Sequence, residues 1–214
     1  NESFAQLYEI TGKEEYLVLA KRFSHKKIMD PLLRGEDNLS GLHANTQIPK
    51  IIGAAKIYQL TGDKYYKNVA ENFWKYVVYD RSYATGGNCD KEFFTEHGTE
   101  PRSVESTETC NVYNMLKLTE YLYSVDPKTE YIEFIENALY NHILGSQNPV
   151  GDKTYNIDLT MGGHKKYFEH FKDMTCCEGT GMENPGRFYR MIYSHADNGI
   201  AVNLFIDSEL QMKE

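Results

Sequence analysis

An internal repeat constrains this chain more than any other feature of its sequence. Three segments align without gaps. Each begins with an apolar residue and a Tyr, and a second Tyr follows nine residues after the apolar one. In every copy we expect an amphipathic helix to end at a Gly- or Pro-containing turn and a second helix to begin at once. The copies begin at Leu7, Ile57 and Leu122, and a fourth, partial copy begins at Ile192.

Helical hairpins repeated in this way must stack side by side, because a single hairpin cannot bury its own apolar face. A solenoid or a toroid would satisfy this requirement. The connections at 80–107 and 145–185 are long and carry Gly, His, Cys and acidic residues, and such connections on a rigid scaffold usually hold function. We therefore expect an all-α fold, an incomplete (α/α) toroid with both connections meeting at the site, followed by the start of a β-domain.

Composition limits the partners of the chain. The 214 residues carry a formal charge of -8, and the basic residues are scattered, which argues against a nucleic-acid-binding surface. A neutral carbohydrate partner fits better, and the 17 Tyr and 10 Phe include candidate platforms for sugar rings. No apolar run approaches the roughly 20 residues that a membrane span requires. The chain begins with Asn1 rather than Met, so we expect an internal fragment of a longer protein, whose compartment and oligomeric state stay open.

Three of the four cysteines, together with one glutamate, suggest a metal site. Three thiolates and a carboxylate are the right number and type of ligands for tetrahedral Zn²⁺. Ser106 or Thr107 can cap the helix after Glu108, and residues two apart in the extended chain before it point the same way. Two alternatives stay open, namely buried inert cysteines and a vicinal disulfide in the Gly-rich segment that contains the adjacent pair. The four candidate ligands are Glu108, Cys110, Cys176 and Cys177.

A candidate general acid lies in the connection before this site. Glu92 is followed by Phe93 and Phe94, and an apolar environment suits a carboxyl group to general-acid work. The alternative is a solvated acid among several others in the same connection. Cys89, three residues earlier, could supply a further sulfur ligand.

Polar residues at the start of the second repeat suggest a sugar subsite. His43 opens the helix there, and Asn45, Thr46 and Gln47 add the amides and hydroxyl that a sugar-binding subsite uses. The same residues would also make an ordinary helix N-cap, so both interpretations stay open. Tyr155, in the third connection, is a further candidate for substrate binding.

Five sequence blocks, in this order and spacing, resemble the β-L-arabinofuranosidases of glycoside hydrolase family 127 and its close relative family 146. The resemblance runs from about Leu7 to Phe205. It implies an (α/α)6 barrel with β-sandwich domains elsewhere, so that 1–198 would be a fragment of the catalytic barrel and 199–214 the beginning of a β-sandwich domain. The blocks are GLHANTQIPK, RSYATGGNCDKEFF, ESTETCNVYNMLKL, ALYNHILGSQNP and TCCEGTGMEN.

The resemblance also implies roles for individual residues. Zn²⁺ would be bound by Glu108 and the three cysteines of the metal hypothesis, Cys176 would be the nucleophile, Glu92 the acid/base, and His43 a sugar contact. Cys89 stands where the family more often has Ser, so the resemblance implies that it is not a ligand. The expected activity is retaining hydrolysis of terminal β-L-arabinofuranosyl residues from plant-type glycans or glycoproteins, through a thioglycoside on the cysteine. The alternatives are a non-catalytic, zinc-stabilised toroid that binds carbohydrate, and a polysaccharide lyase or sugar epimerase on the same scaffold.

Overall fold

A computed structural model describes residues 1–169, 172, 174–196 and 199–212. Most of the described residues outside the loops are helical, as the repeat predicts. A π-helical segment (Ala138–Ile143) and a 3₁₀ turn (Leu144–Ser146) follow the seventh α-helix directly. The other elements are α1 (Glu2–Thr11), α2 (Glu14–Arg22), α3 (Lys26–Leu33), α4 (Ala44–Thr61), α5 (Lys64–Val78), α6 (Thr109–Val125), α7 (Thr129–Asn137), α8 (Cys176–Glu183), α9 (Pro185–Arg190), β1 (Tyr193–Ala196) and β2 (Gly199–Val202).

The repeat produces helical hairpins whose turns are set by local chemistry. Gly12 ends α1 and Gly62 ends α4, both with a left-handed backbone (φ 67° and 69°) and an N–H that bonds the carbonyl four residues earlier. Glycine takes this conformation without a Cβ clash, so both helices end at the predicted residue. The third hairpin turns at Asp126 with an extended φ of -150°. The prediction of three helical hairpins is confirmed.

The hairpins pack side by side through their first helices. Helix α4 contacts α1 on one side and α6 on the other, and α6 also contacts α8. Helix α4 is buried on most of its length, including Ile48, Ile51 and Ile52, because it has neighbours on several sides. The second helices α5 and α7 close their hairpins, and α5 also packs on α3. The first helices thus form a continuous row.

Trp74 joins the second and third hairpins. Its ring lies edge-on against Tyr131 and Phe134 of α7, with centroids 4.8 and 6.0 Å away. Its indole N–H donates to the Thr119 hydroxyl of α6 at 2.8 Å, so the buried polar atom is satisfied. Such aromatic pairs contribute about 0.5–1.5 kcal/mol each beyond the burial of apolar area.

Three details differ from the sequence predictions. A short helix, α3, lies between the first and second hairpins, carries Pro31 inside it, and is not predicted by the repeat. The adjacent cysteines begin helix α8 rather than lying in a loop. Strand β1 starts at Tyr193 and pairs antiparallel with β2, so Tyr193–Ala196 of the fourth partial copy are strand rather than helix. Asp197 and Asn198 lie outside the described residues.

The long connections meet at the N-terminal ends of α4 and α6, as the predicted meeting of the connections at one site requires. The Thr109 N–H donates to the Tyr155 carbonyl at 2.9 Å, and the Ile157 N–H donates to the Thr107 carbonyl at 3.4 Å. The second connection reaches α4 through the Ala44 N–H, which donates to the Glu92 carbonyl at 2.8 Å. These bonds assemble the candidate site. Across the described residues, no helix is both long and apolar enough to cross a bilayer.

Candidate active site and metal centre

A tight turn holds the candidate acid, Glu92. Asp90 and Phe93 exchange both main-chain hydrogen bonds at 3.0 Å, and the two residues between them have positive φ values, 49° at Lys91 and 70° at Glu92. This is the I′ type of hairpin turn, which normally uses Asn and Gly. Cys89, just before it, also has a positive φ of 73°. Three of the four residues from Cys89 to Glu92 are therefore non-glycine residues with positive φ, which indicates backbone strain of the kind that often occurs at functional sites.

The four predicted metal ligands come together. One candidate ligand atom from each of Glu108, Cys110, Cys176 and Cys177 lies within 4.8 Å of every other. The Cys177 and Cys110 sulfurs are 3.2 Å apart, and Glu108 Oε1 is 3.7 Å from Cys176 Sγ and 3.8 Å from Cys177 Sγ. All four cysteines are free thiols, so the vicinal disulfide is not formed.

Two helix starts supply these groups. Glu108 itself is the N-cap residue of α6, with extended backbone (φ -60°, ψ 129°), and Cys110 lies in the first turn. The prediction that Ser106 or Thr107 caps this helix is wrong, because the Ser106 hydroxyl donates to Asp90 and the Thr107 hydroxyl to the Ile157 carbonyl. Positive helix N-termini favour the anionic forms of the ligands.

The cysteine pair opens α8 for a local reason. The Thr175 N–H donates to the Glu178 carboxylate at 3.1 Å, which is the backward half of a capping box and starts the helix despite Gly179 and Gly181. Adjacent residues on a helix start point in different directions. Cys176 is therefore exposed whereas Cys177 is fully buried. Of the two, only Cys176 faces solvent.

The donor set fits a divalent metal ion. Glu108 is almost fully buried, and its Oε2 atom has no hydrogen-bond partner among the described residues. Burial raises the pKa of Glu108 to about 8, and the neighbouring Cys110 contributes to that rise. The Cys177 thiol donates to Cys110, which lowers the pKa of Cys110 to about 6 and raises that of Cys177. A cation would compensate the charge that these crowded groups carry when they ionise.

The candidate acid faces the cysteine across one hydroxyl. Tyr155 donates to Glu92 Oε1 at 2.6 Å, and the same phenol oxygen lies 3.6 Å from Cys176 Sγ. His43 Nε2 lies 3.4 Å from Glu92 Oε2, so the predicted acid, nucleophile and two sugar-binding candidates are neighbours. Burial, and next the bond to Glu92, raise the pKa of Tyr155, which keeps the phenol protonated.

Of the two environments considered for Glu92, the solvent-exposed one is observed. Phe94 packs into the core, but Phe93 is 46% exposed and contacts the His43 ring edge-on at 5.6 Å. The Glu92 side chain itself is 42% exposed. The reason is the turn geometry, because Glu92 and Phe93 lie on the I′ turn itself, whereas Cys89 before it and Phe94 after it are in the core.

Asn45 and Cys89 both make their contacts within the protein. Both amide atoms of Asn45 are engaged by protein, one with Glu108 and one with Asn114. Cys89 is fully buried in the hydrophobic core and is outside the four-residue cluster, and burial raises its pKa to about 12. Sequence reasoning did not find Thr180, whose hydroxyl lies 3.2 Å from Cys110 Sγ. Its position four residues after Cys176, on the same helix face, was the available signal.

Fold and site together define a class of protein: a helical scaffold in which a cluster of three thiols and a carboxylate lies beside a second, solvent-facing carboxylate. The sequence profile described as the β-L-arabinofuranosidase GH127 catalytic domain matches residues 1–190. The chain therefore belongs to the GH127 β-L-arabinofuranosidase catalytic-domain family.

Individual relatives agree with this assignment. The chain is 24% identical over 226 residues to a non-reducing end β-L-arabinofuranosidase of Bifidobacterium longum subsp. longum, covering 90% of this chain and 32% of that protein. A solved GH127 β-arabinofuranosidase has a similar fold, with a TM-score of 0.76, 22% identity, and coverage of 94% of this chain and 34% of the other. A GH127 β-L-arabinofuranosidase from Geobacillus stearothermophilus T6 gives a TM-score of 0.73, 20% identity, and coverage of 95% and 39%. The chain thus spans about a third of the length of these relatives.

Proposed function

We propose that the protein is a retaining glycoside hydrolase that releases terminal β-L-arabinofuranosyl residues from plant-type glycans or glycoproteins, with Cys176 as nucleophile and Glu92 as acid/base. The observation that carries this proposal is the Tyr155 hydroxyl between the two groups. Its distances of 3.6 and 2.6 Å limit the separation of Cys176 Sγ and Glu92 Oε1 to no more than about 6 Å. Retaining glycosidases place their two carboxyl groups about 5–5.5 Å apart.

Zn²⁺ is the metal we propose for Glu108 and the three neighbouring cysteines. A set of three sulfurs and one oxygen matches the thiolate-rich sites that zinc occupies, where metal–ligand distances of about 2.0–2.3 Å place the ligand atoms about 3.5–4 Å apart. When bound, the ion would keep the Cys176 thiol deprotonated at neutral pH.

The residues of the chain would then carry the two steps. The sulfur of Cys176 attacks the anomeric carbon as the bond to the leaving oxygen breaks, and Glu92 gives its proton to that oxygen. A thioglycoside results. In the second step Glu92 removes a proton from water, the water oxygen attacks the same carbon, and the electrons of the C–S bond return to sulfur. Two inversions at one carbon give net retention.

His43 and Tyr155 are the residues we propose for sugar binding. Each has a polar atom in contact with the Glu92 carboxylate, and each is partly exposed. They can therefore reach the hydroxyl groups of a sugar that lies between the acid and the nucleophile. The helical part, 1–198, would be a portion of an (α/α)6 barrel, and 199–214 the start of a β-sandwich domain. The row of first helices supports the first assignment and strand β2 supports the second, although its partner β1 lies before residue 198.

Three substitutions in the full-length protein test the assignment with an aryl β-L-arabinofuranoside as substrate. Glu92→Gln keeps the size of the side chain but removes its proton, so activity should fall about 10²–10⁴-fold with zinc content and melting temperature unchanged. Cys176→Ser should abolish turnover. Cys177→Ser is the matched control, because it also removes a sulfur ligand but spares the nucleophile, and residual activity should return with excess zinc.

The outcomes separate the competing functions. Equal behaviour of the two serine variants, with a fully active Glu92→Gln enzyme, would identify the zinc as structural and overturn the catalytic proposal. An unsaturated sugar product would indicate a lyase. NMR of the first product formed should show the β-anomer, and an α-anomer would contradict retention.

A further inference from the structure

Asn45 lies between two helices and contacts the candidate metal centre. It occupies the first turn of α4, and its Nδ2 donates to Glu108 Oε1 at 3.4 Å. Its Oδ1 accepts a 2.8 Å hydrogen bond from Nδ2 of Asn114, which lies on α6. The three side chains form one chain of hydrogen bonds, from Asn114 through Asn45 to the Glu108 carboxylate.

The direction of this chain follows from chemistry. An ionised carboxylate only accepts hydrogen bonds, so Asn45 must present its NH₂ group to Glu108. The opposite rotamer would place the amide oxygen of Asn45 against the carboxylate. By donating to that amide oxygen, Asn114 stabilises the first rotamer. Asn114 therefore acts on Glu108 only through Asn45.

The remaining contacts of Glu108 make Asn45 important once a metal is bound. Within the described ranges, Oε1 otherwise faces the thiols of Cys176 and Cys177, the thiol of Cys110 also contacts the carboxylate, and Oε2 has no hydrogen-bond partner. A metal ion would displace the protons of all three thiols, so none of the sulfurs could still donate. Asn45 would then be the donor that fixes the carboxylate.

We infer that Asn45, held by Asn114, is a positioning residue that orients Glu108 towards the metal. This inference rests on the proposed function, because it requires that the Glu108 cluster binds Zn²⁺. It gives Asn45 a role different from the sugar contact predicted by the sequence. Hydrogen-bond partners of metal ligands are typically responsible for a 10–100-fold difference in metal affinity.

Zinc affinity of the full-length protein, measured against a chromophoric chelator, tests the inference. Asn45→Ala should weaken zinc binding about 10–100-fold, and Asn114→Ala should weaken it less. The double variant should bind zinc no more weakly than Asn45→Ala, because Asn114 has no independent effect. Asn72→Ala is the control: it removes an amide that donates to the Leu32 carbonyl at 2.8 Å, and zinc affinity should not change.

Each other result has a definite meaning. If the wild type binds no zinc, the metal of the proposed function and this inference both fail. If the wild type binds zinc and Asn45→Ala binds it equally well, only the inference fails, and a rise in KM alone would return Asn45 to the sugar subsite. If the losses of zinc affinity in the two single variants add up in the double variant, Asn114 does not act through Asn45, and the inference also fails. Asn45→Ser, whose hydroxyl is too short to reach Glu108, should match Asn45→Ala and provides the test should the alanine variant not fold.

Discussion

Arg81 connects the loop that carries the candidate acid to the rest of the fold, and replacing it should destabilise both. The guanidinium is fully buried and pairs with Asp37 at 2.7 Å. It also donates to the carbonyls of Thr95 and Tyr76, both at 2.9 Å, and to the Ser40 hydroxyl at 3.2 Å. Thr95 follows Glu92 by three residues, so this network determines where the acid-bearing turn lies.

The magnitude follows from what Arg81→Met would leave behind. The carboxylate of Asp37 would lose its buried partner, and two main-chain carbonyls would lose their donors. Removing one partner of a buried ion pair costs about 3–5 kcal/mol. For a domain of this size each kcal/mol lowers the melting temperature by about 2–4 °C, so we expect a drop of about 6–20 °C. The melting temperature of Arg81→Lys should lie between those of the wild type and Arg81→Met, because an ammonium group cannot reach all four acceptors.

Thermal and urea unfolding followed by circular dichroism measure this effect. Arg34→Met is the control, since Arg34 pairs with Glu36 in an ion pair whose side chains are both 56% exposed, and its loss should leave the melting temperature unchanged. The activity of Arg81→Met should decrease by a larger factor than its fraction of folded protein, because the turn that carries Glu92 loosens. A melting temperature within about 2 °C of the wild type would refute the argument.

Two further predictions concern stability. Burial lowers the pKa of His142 to about 3. Between about pH 3 and 6.5 this histidine is therefore protonated in the unfolded chain but neutral in the folded chain. The free energy of unfolding should decrease as the pH drops from about 6.5 towards 3. His142→Leu should reduce this slope by up to about 1.4 kcal/mol per pH unit in urea titrations, and an unchanged slope would contradict the assignment. Lys91→Asn should stabilise the fold by about 0.5–1 kcal/mol, because Asn tolerates the positive φ of 49° better than Lys. A lower melting temperature in that variant would show that the turn is not strained.

Local chemistry explains which parts of the fold the sequence could predict. The turns at Gly12 and Gly62 follow from residues next to the helix ends, and both were predicted. The repeat does not predict helix α3, and Pro31 argues against a helix, because a proline beyond the first turn removes an intrahelical N–H. The Lys27 carbonyl that this N–H would bond accepts from Asn38 Nδ2 instead, at 3.3 Å. Helix α8 was missed because Gly179 and Gly181 obscured the start signal at Thr175.

The site depended on a different kind of information. Residue types alone indicated a metal site but left inert cysteines and a disulfide open, and the resemblance of the motif blocks selected the metal. No local pattern brings the Cys110 sulfur to that of Cys177, which is distant in sequence. The structure does so by packing α8, which begins with the cysteine pair, against α6. Likewise, the exposure of Glu92 depends on a turn whose Lys-Glu sequence is unusual for its conformation.

The fold gives its two central carboxylates opposite environments. Glu108 caps α6, is nearly fully buried, and touches sulfur atoms and an amide. Glu92 lies on a turn outside any helix, is 42% exposed, and touches His43 and a phenol. A buried carboxylate at a helix N-terminus suits an anionic metal ligand, because the dipole and a cation both favour its charge. A solvent-facing carboxylate such as Glu92 can exchange protons with substrate and water, whereas the buried carboxylate of Glu108 cannot. Because separate elements position them, substitution of Glu92 can remove proton transfer without disturbing the cluster, and this independence is what makes the Glu92→Gln experiment decisive.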